Sequence, residues 1–157
     1  MLYNSIVNRL LGQTTNESYL NVYRALLKKE ESYAIHALVS VADNPGISAA
    51  KIAEHFEMPP AFMAKVLRKL TIAKFTVSKM GRSGGIWLNC NPKKTSMLDI
   101  IQSISGYVIL DNCESEVSCI SKTKNGRCLL NDNYTQASIK IRQILGSIML
   151  SDLIDNE

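Results

Sequence analysis

Residues 47–88 read ISAAKIAEHFEMPPAFMAKVLRKLTIAKFTVSKMGRSGGIWL, and the changes of period within them decide the fold. Ile47-Ser48-Ala49-Ala50-Lys51-Ile52 opens a short helix. Ser48 suits the N-cap because its hydroxyl accepts from an unsatisfied N–H of the first turn, and Ile47 and Ile52 stand where a hydrophobic staple closes. Met58-Pro59-Pro60 ends that helix at about Phe56 and starts the next, since proline is excluded from a helix interior but fits its first position. Met63, Val66, Leu67 and Leu70 then recur at i, i+3, i+4 and i+7, a stripe that faces a core and leaves Ala61, Ala64, Lys65, Arg68 and Lys69 outward. After Ala73 the period falls to two. Phe75 and Val77 alternate with Thr76 and Ser78, and Ile86 and Leu88 with Trp87 and Asn89, on either side of Gly81-Arg82-Ser83-Gly84-Gly85, which makes a hairpin with a glycine-rich tip.

Upstream, Ala34, Ala37, Leu38 and Val41 give a helix over 33–41 that Asn44-Pro45-Gly46 breaks. Downstream, Ser96 and Asp99 read as a capping pair before Ile100, Ile101 and Ile104, with Gly106 as the stop. Residues 111–133 lack apolar periodicity and are rich in Ser, Asn, Lys and Cys, so a loop is expected there. From Tyr134 the stripe Ala137, Ile141, Ile144, Leu145 and Ile148 marks a terminal helix, with a last turn at 151–153. That helix is more apolar than a small domain can cover, which implies a homodimer interface. The expected fold is mainly α with a small β-hairpin wing: a winged helix-turn-helix domain plus a long C-terminal dimerisation helix. It divides into an extension at 1–29 with two weak amphipathic pieces and no assignable role, the winged domain at 30–106, a cysteine-bearing loop at 107–133, and the dimerisation helix and C-terminal turn at 134–157.

The chain of 157 residues carries a formal net charge of +4, and the distribution matters more than the sum. No Asp or Glu occurs between Pro59 and Ser96, while Lys65, Arg68, Lys69, Lys74, Lys79, Arg82, Lys93 and Lys94 do. A helix with small and basic outward residues fits a major groove, and a glycine-rich tip with a cation can approach phosphates or the adjacent minor groove closely. Charge alone fits a solvated basic face as well; the order of elements and the wing glycines favour double-stranded DNA. The candidate DNA contacts are Ser48, Ala61, Lys65, Arg68, Lys69, Lys79, Arg82, Ser83 and Gly84.

Four cysteines without a signal-sequence pattern read as reduced thiols, metal ligands or redox groups. Cys90, after Trp87 and Leu88, reads as a small buried hydrophobe. Cys113-x5-Cys119-x8-Cys128 places three soft donors on one segment, which suits an iron–sulfur cluster or zinc; three unconnected thiols would give the same spacing. Zinc would need a fourth ligand, and neither His36 nor His55 is near in sequence. These two histidines both lie on expected helices, and no nucleophile elbow, phosphate loop or supported carboxylate pair is present, so the chain is not expected to be an enzyme. No apolar run approaches the roughly eighteen residues of a membrane span, and a cytoplasmic location is expected.

Taken in order, these motifs resemble the Rrf-type winged helix-turn-helix transcriptional regulators, a bacterial family that includes iron–sulfur and nitric oxide sensors. Tyr33 to Leu38 is similar to the family's opening helix, Ile47 to Leu70 to its helix-turn-helix, Gly81 to Ile86 to its wing, and Ser96 to Ile101 to the helix after the wing. The resemblance implies a homodimer crossing through C-terminal helices, a DNA-binding repressor, and a [2Fe-2S] or [4Fe-4S] cluster with Cys113, Cys119 and Cys128 as ligands. It leaves the fourth ligand open. Leu130 and Asn131 stand where some members carry a histidine, and Ser32, beside Glu30 and Glu31, stands where others carry an acidic residue. Two alternatives stay open: a cluster-free regulator acting through thiol oxidation or a partner protein, and a zinc-stabilised protein-interaction module.

Overall fold

The computed structural model describes residues 25–81, 84–114 and 119–154, the side chains at 120, 123 and 125 excepted. Helix α1 (Lys29–Asp43) presents Ala34, Ala37, Leu38 and Val41 to the core, as their spacing requires. It begins four residues before Tyr33, because a polar first turn is stabilised locally: the Glu31 carboxylate accepts the Lys28 N–H at 2.7 Å. Helix α2 (Ala49–His55) starts on Ser48, whose hydroxyl accepts the Lys51 N–H at 3.3 Å, and α3 (Pro60–Ile72) buries Met63, Val66, Leu67 and Leu70.

Strands β1 (Thr76–Lys79) and β2 (Gly85–Leu88) pair antiparallel with Thr76 opposite Leu88 and Val77 opposite Trp87. It is Thr76 that turns inward, while Val77 faces solvent. A buried hydroxyl is tolerated there because it has a partner. The Thr71 and Thr76 hydroxyls lie 3.0 Å apart, and Thr71 already donates to the Leu67 carbonyl, so the proton between them comes from Thr76. The wing root is fixed by backbone. Gly46 N–H donates to the Ile86 carbonyl (2.9 Å) and Ile86 N–H to the Ile47 carbonyl (3.0 Å), so Ile47 adds a bridge to the hairpin.

Helix α4 (Met97–Ser105) carries the expected reciprocal cap, with Asp99 N–H on Ser96 Oγ at 3.1 Å and Ser96 N–H on Asp99 Oδ2 at 2.8 Å; it ends at Gly106 with φ +84°. The stretch expected to be a loop is more ordered than its composition suggests. It holds a 3-10 turn (Asn112–Glu114) and a short helix α5 (Ile120–Asn125), which stops at Gly126 in the left-handed region. Helix α6 (Leu129–Ser147) starts directly after Cys128, five residues before Tyr134. Its first turn escaped the periodicity because Leu129 and Leu130 are exposed there and polar residues follow.

The chain beyond α6 belongs to the winged domain. Met97 N–H donates to the Ile148 carbonyl and Leu150 N–H to the Thr95 carbonyl, both at 2.8 Å, and Leu150 is fully buried in the same core as Leu38, Ile52, Leu70 and Ile100. The long helix is therefore anchored at its far end as well as its near one. Among the described residues no helix is long and apolar enough to cross a membrane.

The wing root tolerates no side chain at Gly85: a Cβ there would lie 2.0 Å from the Gly46 carbonyl oxygen, at a φ of +151° that L residues rarely adopt. Gly85→Ala is expected to cost more than about 2 kcal/mol, read as a lower midpoint in denaturant titration. Wild-type stability in that variant would show that the close approach is not formed.

Candidate nucleic-acid interface and cysteine segment

The outward face of α3 carries Ala61, Ala64, Lys65 and Arg68, all exposed, and Ser48 is exposed at the head of α2. An open depression lies between the α1–α2 turn and the wing root, lined by Asn44, Gly46, Ser48, Lys51 and Gly84 among others. Gly84 N–H closes the hairpin tip on the Gly81 carbonyl at 2.8 Å. Lys79 is exposed, with its ammonium 4.4 Å from the centre of the Trp87 ring, a cation–π contact that holds positive charge on the outer face of the wing. Arg82 and Ser83 lie outside the described residues.

Lys69 behaves differently from its sequence neighbours. Its ammonium lies 3.1 Å from Glu30 Oε1 and donates to the Ile104 carbonyl at 3.0 Å, leaving the side chain one-third exposed; Lys65, 3.5 Å from the same carboxylate, is 63% exposed. Burial on its own would raise the Glu30 carboxyl, but the adjacent Lys69 ammonium, joined by that of Lys65, outweighs it and holds the group below the ordinary carboxylate value. Glu30 lies outside the acid-free stretch, so no local sequence signal identifies it as the partner of these cations.

The cysteine segment is laced together through one carbonyl. Cys113 sits in the 3-10 turn, its N–H donating to Asp111 Oδ1 at 2.8 Å, and its carbonyl accepts from Asn131 Nδ2 (2.8 Å) on α6 and Lys122 Nζ (3.3 Å) on α5. Cys119 is the N-cap of α5 and Cys128 the N-cap of α6. All three thiols are half-buried and none forms a disulfide; the same holds for Cys90, which packs against the core. Backbone N–H groups of Lys122 and Ser121 draw the Cys119 thiol below its ordinary value, against a smaller opposing effect of burial.

Convergence of the three sulfurs on one point is not met: among the described residues no group of three His, Cys, Asp or Glu side chains is placed to hold a metal ion. The donor chemistry nonetheless fits an iron–sulfur cluster. Such a cluster spreads its protein ligands over two or more irons, whereas tetrahedral zinc needs four donors on a single centre. The acidic residues near Ser32 are committed within their own subunit, Glu31 to the Lys28 N–H and Glu30 to the two lysines.

The segment is also tied to its surroundings. Glu114 Oε1 accepts from the Leu110 N–H at 3.0 Å and from the fully buried Ser138 hydroxyl of α6. Arg142 of α6 donates to the Val108 carbonyl at 2.7 Å and stacks 4.5 Å from the Tyr107 ring.

This combination of a helix-turn-helix, a wing and an anchored long helix defines a winged-helix transcription regulator. The chain belongs to the Rrf2 family, described as iron-dependent transcriptional regulators, whose model matches residues 27–156. It is 36% identical over 77 residues to the putative regulator BadM of Rhodopseudomonas palustris, a match that spans about half of each chain. It is 26% identical to the regulator NsrR of Oceanobacillus iheyensis, covering 83% of this chain and 90% of that one. Two solved structures share the fold. T. potens IscR has a TM-score of 0.65 at 20% identity, covering 82% of this chain and 85% of that one, and the global cysteine regulator CymR of B. subtilis 0.66 at 20%, covering 83% and 96%. These relatives are regulators of transcription, and the chain is not an enzyme.

Glu30 sets a pH dependence. Because its folded-state pKa is depressed, the stability it contributes is present above the unfolded carboxylate value and is lost as pH falls through the folded one. Glu30→Gln should be less stable than wild type at pH 7 by about 0.5–1 kcal/mol. The gap should close in the acid range below the ordinary carboxylate value, as read by denaturant titration at several pH values. A gap that is constant or widens on acidification contradicts the ion-pair assignment.

Proposed function

We propose that this regulator is a cytoplasmic, homodimeric DNA-binding repressor whose operator affinity is controlled by an iron–sulfur cluster held by Cys113, Cys119 and Cys128. One observation carries the reading. Three half-buried, uncrosslinked thiols occupy segments that meet at a single carbonyl, that of Cys113, and two of them stand at the N-caps of α5 and α6. When bound, the cluster would supply iron–thiolate bonds that join these segments and a centre reactive toward oxidants, nitric oxide or iron withdrawal.

The rest of the work falls to the chain. Glu114 and Arg142 hold 108–114 against α6. Ile141 and Leu145 of α6 and Ile148 at its C-cap are half-buried and Ile144 is 62% exposed, an apolar stripe suited to the same stripe of a second copy about a two-fold axis. A change in how 108–114 rests on α6 would then shift the population of dimers whose reading helices match two half-sites. Ser48, Ala61, Lys65 and Arg68 are assigned to the major groove, and Lys79, Arg82, Ser83 and Gly84 to phosphates and the minor groove. A second reading, control by thiol oxidation without a cluster, is favoured by the lowered Cys119 thiol and by the fold shared with CymR of Staphylococcus aureus, whose structure is known in an oxidised form.

Oxygen-free preparation should yield a coloured protein containing iron and acid-labile sulfide. Cys→Ala at 113, 119 or 128 should abolish the colour and change retention of a duplex from upstream of its own gene. A colourless, iron-free wild type selects the thiol reading instead. Replacing Arg82 by Ala should reduce the slope of log affinity against log salt by about 0.9, the value for one phosphate contact. An unchanged slope removes Arg82 from the interface.

A further inference from the structure

The last four carbonyls of a helix have no partner within it, and its C-terminus carries partial negative charge, so a cation there is favourable. Helix α4 has no basic residue in its last turn. The cation comes from another helix: Lys69, on the last turn of α3, donates to the Ile104 carbonyl at 3.0 Å while Glu30 of α1 steadies the ammonium at 3.1 Å. Two residues past Ile104 the chain turns at Gly106, and Tyr107 and Val108 are then held by Arg142 of α6. The contact from the reading helix therefore lies three residues before the start of the segment that leads to Cys113 and is held by α6.

We propose that Lys69 is a positioning residue for DNA binding, a latch that sets α3 against the C-terminus of α4, and not a phosphate contact. Glu30 is the second half of the latch, holding the ammonium over the carbonyl. Movement of residues 107–114 relative to α6 reaches the reading helix through this contact. The proposal rests on the DNA-binding reading and is independent of which group, if any, the cysteines hold.

The two roles differ in their salt dependence and in the sign of one mutant. If Lys69 neutralised a phosphate, Lys69→Met would lower the slope of log affinity against log salt by about 0.9. Loss of a latch leaves the slope at its wild-type value and weakens binding by a similar factor, roughly fivefold, at every salt concentration. Glu30→Gln discriminates more sharply. Removing a negative charge near the duplex should tighten binding if only long-range electrostatics matters, whereas loss of the latch should weaken it.

The experiment measures affinity of the full-length protein for the duplex upstream of its own gene from low to moderate salt, for wild type, Lys69→Met, Lys69→Arg, Glu30→Gln and the Lys69→Met/Glu30→Gln double variant. Arg68→Ala serves as the slope control. Both single variants should bind about fivefold more weakly with unchanged slope, Lys69→Arg should recover most of the loss, and the double variant should be no worse than either single one. Thermal midpoints confirm that each variant is folded at the assay temperature, and amide exchange at Gly106 should accelerate in Lys69→Met without DNA present. Tighter binding by Glu30→Gln, a slope lowered in Lys69→Met, or additive losses in the double variant overturns the latch. Absence of binding by wild type and every variant would instead strike the DNA-binding reading, and unaltered exchange at Gly106 would then overturn the latch separately.

Discussion

Two backbone hydrogen bonds, from Gly46 to Ile86 and from Ile86 to Ile47, hold the wing against the turn that precedes α2. Every placement of the wing depends on them, because the hairpin is only two strands of four residues and such a ribbon is marginal in isolation. The close approach demands glycine on both sides. Gly85 admits no Cβ against the Gly46 carbonyl, and Gly46 itself has a φ of +87° and lies beneath the Trp87 ring, where a Cβ would approach to 3.1 Å. Side chains then confirm what the backbone sets: Ile86 points into the core, and Trp87, on the opposite face, receives the Lys79 ammonium.

The elements with strong periodicity were legible because one physical cause dominates each of them. Met63, Val66, Leu67 and Leu70 are the buried residues of α3, the four that its spacing selects, and Ser96 and Asp99 cap α4 through short-range hydrogen bonds that need no tertiary context. The hairpin was legible as a hairpin but its inward face was not fully so. Thr76 occupies a core position through a hydroxyl partner supplied by α3, a pairing that alternation of apolar residues cannot anticipate. Leu150 is not legible as core for a similar reason, since three residues of a terminal turn carry no period and only the return of the chain to Thr95 buries the leucine among them.

The cysteine segment was legible in its chemistry and not in its architecture. Three thiols on one stretch identify soft-donor chemistry from residue type alone. The order around them comes from side chains bonding distant groups: Asn131 and Lys122 to the Cys113 carbonyl, Ser138 to Glu114, Arg142 to Val108. None of these has an apolar signature, so a polar stretch that reads as loop contains a helix and the start of another. Fixing it through polar interactions gives a segment whose position can change by exchanging hydrogen bonds, where an apolar plug would resist any change short of unfolding.

The distribution of charge shows how far a linear count can mislead. The stretch from Pro59 to Ser96 contains no acid, which suggests that all its cations face outward for a polyanion. Folding brings Glu30 from α1 to Lys65 and Lys69 and so divides that set. Counterions condensed on DNA are released where a protein cation takes their place at a phosphate, so a lysine already neutralised within the protein adds less to the salt-dependent part of affinity than Arg68 or Lys79. What Lys69 loses as a phosphate ligand it gains as a structural one, because an ammonium between a carboxylate and a helix C-terminus is favoured by both, and its hydrogen bond to the Ile104 carbonyl is directional where a surface charge is not. The basic face of the reading helix thus has two functions at different heights: an outer row at Ala61, Ala64, Lys65 and Arg68 available to a groove, and Lys69 at its edge, turned back toward the junction from which the cysteine segment departs.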